Sequence, residues 1–192
     1  MKEYNELKTP EELYEYMCDN FEYGYLDKDN NIHHYDDPNY DDLDWYNIYM
    51  LENEKDILES SVGTCFDMTE LERDFLERNG YKVYTYFEMI LLDYDNPYPM
   101  HSFLVYEDNN KYCYFEFSDY KNRGIHKYDN IIELLNDARI RFMRNQEEYD
   151  IKEEEKSKYI INQFEKVKEH ASEEEYLNHV LNSKGIIKEL TK

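Results

Sequence analysis

Cys65, His101 and Glu116 are the residues of this chain whose types and spacing could do covalent chemistry together. A cysteine thiolate attacks a carbonyl carbon, a histidine carries the proton, and a carboxylate fixes the tautomer and orientation of the ring. Thr64 and Asp67 have the spacing of a helix capping box, which makes Cys65 the first helical residue. Free backbone N–H groups and the positive end of the helix dipole favour a thiolate at that position. The other two cysteines read differently: Cys18 falls mid-helix and Cys113 alternates within a strand between Tyr112 and Tyr114, both packing positions. Without CxxC spacing, the three suggest neither a disulfide framework nor a zinc site. Taken singly, Cys65 suits a small buried hydrophobe and His101 an edge histidine bonded to backbone, so the weight rests on the constellation.

The strand pattern ties His101 to Glu116 independently. HSFLVY and KYCYFEFS are rich in aromatic and β-branched residues and are joined by EDNN, a hairpin connection. Across an even-length loop Glu116 falls on the same face as His101. With Asp108-Asn109 as the loop residues Glu116 stands directly opposite His101; with Asn109-Asn110 it is the diagonal neighbour, still within reach. Asp119, the rival carboxylate, points to the other face.

These residues need a helix and a sheet to hold them. Residues 64–79 form the nucleophile helix, with Met68, Leu71 and Phe75 on one face and Asn79-Gly80 as its stop. An earlier helix over roughly 10–21 opens on Thr9-Pro10-Glu11-Glu12. Residues 24–44 read as an irregular acidic loop, and the stretch after it as loosely helical. Strands are expected over 81–92, 101–106 and 111–118, then a turn at Asn122-Arg123-Gly124 and a helix capped by Asp129. The order is helix, antiparallel strands, helix, an α+β arrangement. From 146 the pattern predicts one long helix and, after a capping box at Ser172, a short one. That divides the chain into a core domain, 1–145, and an acidic helical C-terminal extension, 146–192. Ile161, Phe164, Val167 and Ala171 form an apolar stripe on the long helix that must pack on the core or on a second copy, a homodimer through the C-terminal helix.

Gly63-Thr64-Cys65-Phe66-Asp67 resembles the helix start of the transglutaminase-like superfamily of papain-like cysteine enzymes. His101-Ser102-Phe103 is similar to the family's histidine motif, and Glu116 sits where the family has its acidic triad member on the next strand. The stretch FEFSDYKNRGIHKYDNIIEL is similar to the end of small bacterial members. The resemblance covers roughly residues 60–135. It implies a papain/transglutaminase-like core, the nucleophile helix packed on a small antiparallel sheet, and a Cys65-His101-Glu116 triad for acyl transfer or amide hydrolysis. Water as acceptor would make a peptidase or deamidase, an amine a transglutaminase. Phe66 and Phe103 stand where the family often has Trp, and Glu116 where Asp is commoner. No residue identifies itself as a second oxyanion donor beside the Cys65 N–H.

Composition bounds the partners. The 192 residues carry 45 acidic against 22 basic side chains, a net charge of −23 with pI near 4.5. That field repels nucleic acid and anionic membrane, and favours a protein or peptide substrate of basic character. The 22 tyrosines and a mean hydropathy of −1.01 make much of the apolar surface amphipathic ring. With no membrane-length apolar run and an acidic N-terminus, a cytoplasmic address is expected. No cofactor and no metal is implied: His33-His34 with Asp36, Asp37, Asp41, Asp42 and Asp44 matches neither an EF-hand nor zinc spacing and reads as a solvated loop. His126, His170 and His179 read as surface residues. The alternative function is a non-catalytic acidic binding protein, a nucleic-acid mimic or an inactive family member used for protein recognition.

Overall fold

The computed structural model describes residues 3–40, 44–92, 99–146 and 151–185. A 3-10 turn at Tyr4–Glu6 precedes helix α1 (Pro10–Asn20), followed by strands β1 (Glu22–Leu26) and β2 (Ile32–His34). Helices α2 (Trp45–Ile48) and α3 (Glu54–Ser60), strand β3 (Val62–Gly63) and helix α4 (Cys65–Arg78) come next. The middle of the chain gives β4 (Lys82–Ile90), β5 (Met100–Asp108), β6 (Lys111–Glu116), β7 (Gly124–Tyr128) and α5 (Ile131–Asn145). It closes with α6 (Glu153–Lys156), β8 (Tyr159–Phe164), α7 (Glu173–Leu181) and β9 (Lys184–Gly185). The class is α+β, with two sheets, one ordered β2-β1-β3 and a six-stranded one ordered β7-β6-β5-β4-β8-β9.

Capping explains where the helices start. Thr9, Thr64 and Ser172 each accept a hydrogen bond from the first turn, and Glu12, Asp67 and Glu175 each accept one from the cap residue's N–H. Asn130 rather than Asp129 caps α5, its side chain accepting from the Glu133 N–H. The β5–β6 hairpin turns on Asn109 and Asn110, both at positive φ (49° and 61°), the conformation a two-residue turn needs to match strand twist. Of the two loop registers open to the sequence, this is the one that makes Glu116 the diagonal neighbour of His101.

The large sheet is antiparallel throughout and covered on both faces. On one face Tyr86, Phe103, Val105, Tyr114 and Ile161 pack under Leu134, Leu135, Ala138 and Phe142 of α5. On the other, Leu104, Tyr106, Phe115 and Phe117 meet Leu13 and Met17 of α1 and Met68, Leu71, Phe75 and Leu76 of α4. Further along that second face Phe87, Met89 and Phe164 close against Phe66 and against Tyr176 and Val180 of α7. Alternation along β4 and β5 thus serves two cores, so few of their side chains are left to water.

Three expectations are corrected. The acidic stretch 24–44 contains a hairpin: β1 and β2 pair from Gly24↔His34 to Leu26↔Ile32. Asp27 closes its turn, accepting from the Asp29 and Asn31 N–H groups and the Asn31 amide, while His33 Nε2 sits 3.0 Å from Oδ2. A Cβ at Gly24 would come within 2.4 Å of the His33 carbonyl, so the close strand approach requires glycine. Gly124–Tyr128, given no element of its own between the expected turn at Asn122-Arg123-Gly124 and the following helix, is β7 on the sheet edge. The largest correction concerns the C-terminal extension. The expected long helix is broken, because Tyr159–Phe164 is β8 and pairs with β4 from Ile90↔Tyr159 to Thr85↔Phe164. The described part of the extension, 151–185, therefore holds the strands β8 and β9 beside the helices α6 and α7. Ile161, Phe164, Val167 and Ala171 are all buried within the single chain, which removes the stripe from which a homodimer was expected. A helical period and a buried strand with its exit loop leave the same apolar spacing over so short a run; pairing with β4 decides between them.

A chain ending at Asn145 is therefore expected to lose its cooperative melt or to aggregate, since β4 becomes a bare, flat, apolar edge. Circular dichroism and light scattering measure both, and an unchanged melting curve would contradict the placement of β8. Stability should also fall at high pH. Burial pushes the carboxyls of Glu52 and Glu88 up to about 8 and that of Glu70 to about 7; Asp67's charge adds to the rise at Glu52 and Arg73's opposes it at Glu70. Each binds its proton more tightly folded than unfolded, so its contribution is complete below ~4.3 and is lost as pH rises through the folded value. The melting temperature is expected to be several degrees higher at pH 6 than at pH 9, with ~1 kcal/mol moving a chain of this size by ~2–4 °C. Calorimetry showing a flat or rising trend over that range would contradict it.

Candidate active site

The site is built at the start of α4. Asp67, fully buried, accepts from the Thr64 N–H (2.8 Å) and hydroxyl (2.7 Å) on one oxygen, and from the Glu52 N–H (2.8 Å) and Tyr49 hydroxyl (2.9 Å) on the other. The carboxylate thus ties the helix start to the chain between α2 and α3. Gly63 is required by packing, since a Cβ there would meet Met68 Cε at 2.7 Å and Asp67 Cβ at 3.1 Å. Cys65 follows as the first residue of α4, its carbonyl accepting from the Thr69 hydroxyl at 2.7 Å.

His101 enters from β5. Its Nε2 lies 2.8 Å from Glu116 Oε2, and the Cys65 side chain is close enough to the ring to favour its protonation. The β5–β6 ladder runs from Asp108↔Lys111 to Leu104↔Phe115, and the triad gathers where that pairing ends. His101 stacks beside Phe103 and is only 15% exposed at its side chain. The structure therefore brings the three sequence-predicted residues together.

Glu116 is held by more than the ring. Tyr114 donates to its Oε2 at 2.6 Å and the Asp119 N–H to its Oε1 at 2.8 Å, so the rival carboxylate supports the triad through its backbone. Burial opposes the charge on Glu116, but the His101 charge and these hydrogen bonds outweigh it and hold the carboxyl below its ordinary value. Burial likewise opposes protonation of His101, and the charge of Glu116 overcomes it, holding the ring well above the usual histidine range. The two form a buried ion pair that each partner depends on.

Two further carboxyls close on this pair. Glu88 stands opposite His101 in the β4–β5 ladder and accepts from the Tyr159 hydroxyl at 2.6 Å. Glu72, two turns along α4 from Cys65, is 3% exposed and lies in the field of Glu116, His101 and Cys65. Burial foremost raises both, Glu72 well above the ordinary value, so around one imidazolium a single carboxylate is ionised and two stay neutral near pH 7. Sequence reasoning missed them, although an acid seven residues past Cys65 on a face with Met68, Leu71 and Phe75 is a legible signal. Tyr23 of β1 was also missed; its phenol lies close enough to Cys65 for the cysteine's charge to raise it. A cleft of about 100 Å3 opens against His101, lined among others by Glu88, Tyr114, Asp119, Arg141 and Asn145. Cys65 itself is buried, 6% exposed.

His33 is spent on Asp27, His126 on the Asn122 carbonyl and His170 on Asp56. No group of three or more His, Cys, Asp or Glu side chains fit to hold a metal occurs among the described residues, and no helix among them is long and apolar enough to cross a membrane. Compared with models of protein families, with curated proteins and with solved structures, the chain matches none.

Glu116→Gln is expected to bring the His101 titration down to or below the ordinary ~6.5, because burial then acts without the opposing charge. Imidazole NMR reads this directly; a titration unmoved by the change would break the ion-pair assignment.

Proposed function

We propose that the protein is a cysteine-dependent acyl-transfer or amide-hydrolysing enzyme of transglutaminase-like type, working through Cys65, His101 and Glu116. The observation that carries this reading is the single buried imidazole that bonds the Glu116 carboxylate at 2.8 Å and has Cys65 as a close neighbour. A nucleophile at the start of a 14-residue helix, on an antiparallel sheet that supplies the other two groups, supports a papain-like core. Cys65 attacks an amide or ester carbonyl, His101 protonates the leaving group, and water or an amine then releases the acyl group from sulfur. Glu116 orients the ring and keeps it charged.

At a net charge of −23 the long-range field concentrates cations and repels polyanions, so a Lys- or Arg-rich peptide or protein is the favoured substrate and nucleic acid is not a partner. The 6% exposure of Cys65 favours the rival reading, a non-catalytic acidic binding protein, because a carbonyl must reach the sulfur.

Iodoacetamide separates the two. Cys65 is expected to alkylate faster than exposed Cys18 and buried Cys113 near neutral pH, and His101→Ala to slow it by ~10²-fold, the small end of what a positioned proton acceptor contributes. Peptide mapping by mass spectrometry reads the rates. Equal rates, or indifference to His101→Ala, would leave the thiol an ordinary core residue and the binding-protein reading in possession.

A further inference from the structure

The triad supplies a nucleophile and a proton carrier but leaves unanswered what stabilises the charge that develops on the substrate oxygen. The Cys65 N–H is the first of α4, without an intrahelical acceptor, and is one donor. We propose that the Tyr23 hydroxyl is the second, a catalytic residue that donates to the oxyanion formed at Cys65; this rests on the acyl-transfer reading above.

The placement of Tyr23 comes from the small sheet. β1 runs parallel to β3 with Tyr23 paired to Gly63, two residues before the nucleophile, so the strand sets the phenol beside the turn into α4. Tyr35 braces it from the outside, ring edge to face at 6.0 Å, while the Tyr35 N–H donates to the Tyr23 carbonyl at 3.1 Å. Cys65 thus has two side-chain neighbours, His101 and Tyr23. Their chemistry differs. The imidazole exchanges a proton, whereas burial, with the Cys65 charge added, raises the phenol well above its ordinary value and keeps it a donor at every working pH. A neutral donor fixed beside the reacting sulfur before substrate arrives is what stabilisation of developing charge requires.

In the step itself the sulfur–carbon bond forms as the carbonyl π bond opens and its electron pair moves to oxygen. The Cys65 N–H and Tyr23 O–H donate to that oxygen. The pair then returns, the bond to the leaving group breaks, His101 gives its proton to an amine leaving group, and a thioester remains on Cys65. Alkylation of the same sulfur by iodoacetamide makes no oxyanion, so the two reactions part company over Tyr23.

The test uses the full chain and Tyr23→Phe, with p-nitrophenyl acetate as acyl donor and iodoacetamide as alkylating agent. The burst of p-nitrophenolate is expected to slow ~10²–10³-fold in Tyr23→Phe, as for loss of one oxyanion donor elsewhere, with alkylation of Cys65 within ~3-fold of the parent. A measurement on the parent protein guards against a variant that folds poorly. The thiono analogue of the ester, whose sulfur accepts hydrogen bonds weakly, should acylate Cys65 at least ~10-fold more slowly than the oxygen ester. An unchanged burst, a matched fall in both reactions, or equal rates for the two esters would overturn the proposal, as would a parent whose Cys65 alkylates readily but shows no burst. A Cys65 inert to iodoacetamide would instead overturn the acyl-transfer reading on which it stands.

Discussion

The buried carboxylate of Asp67 is the interaction on which the site depends. It gathers donors from Thr64, Glu52 and Tyr49 into one fully buried point, so the start of α4, the chain before α3 and the end of α2 are held by a common acceptor. Removing it would leave four backbone or hydroxyl donors buried without partners, at ~1–3 kcal/mol each. The helix would still be amphipathic and would still pack. What would go is the fixed position of its first residue, and that residue is Cys65.

A second constraint acts through charge. Glu72, Glu88 and Glu116 all stand within reach of the His101 field, yet one imidazolium can offset one buried carboxylate. The hydrogen bonds decide which is ionised. Glu116 receives His101, the Tyr114 hydroxyl and the Asp119 N–H, Glu88 receives the Tyr159 hydroxyl, and Glu116 is accordingly the one that keeps its charge. Environments that drive chemically identical groups apart are a mark of sites arranged for proton transfer, and structural ion-pair networks share it. The triad geometry, the helix-start cysteine and this division of charge point the same way.

Features written in a few neighbouring residues were legible in the sequence. The capping boxes at Thr9, Thr64 and Ser172 and the alternation of β5 and β6 each express a contact spanning a handful of positions. Parity of the hairpin placed Glu116 with His101, and the positive φ at Asn109 and Asn110 selected between two registers. What escaped was set by distant partners. β1 is stabilised by β3 some forty residues on, and β8 by β4 some seventy residues earlier, so their short segments carry no period of their own that excludes loop or helix. Tyr23 was invisible for the same reason: nothing near it in the chain announces that a parallel bridge to Gly63 will set it against a cysteine.

The position of β8 orders events during synthesis. β4 leads into β5 and β6 by short-range pairings, but its other edge waits for residues from the last quarter of the chain. Tyr176, which stacks on Phe66 at 4.1 Å and bonds the hydroxyl of Ser102 at 2.7 Å, arrives later still. It joins the residue after Cys65 to the residue after His101. Non-local closure of this kind is slow, and it follows everything that local contacts can build. The nascent protein therefore carries Cys65, His101 and Glu116 well before it can lock them together, and their assembly waits for β8 and α7.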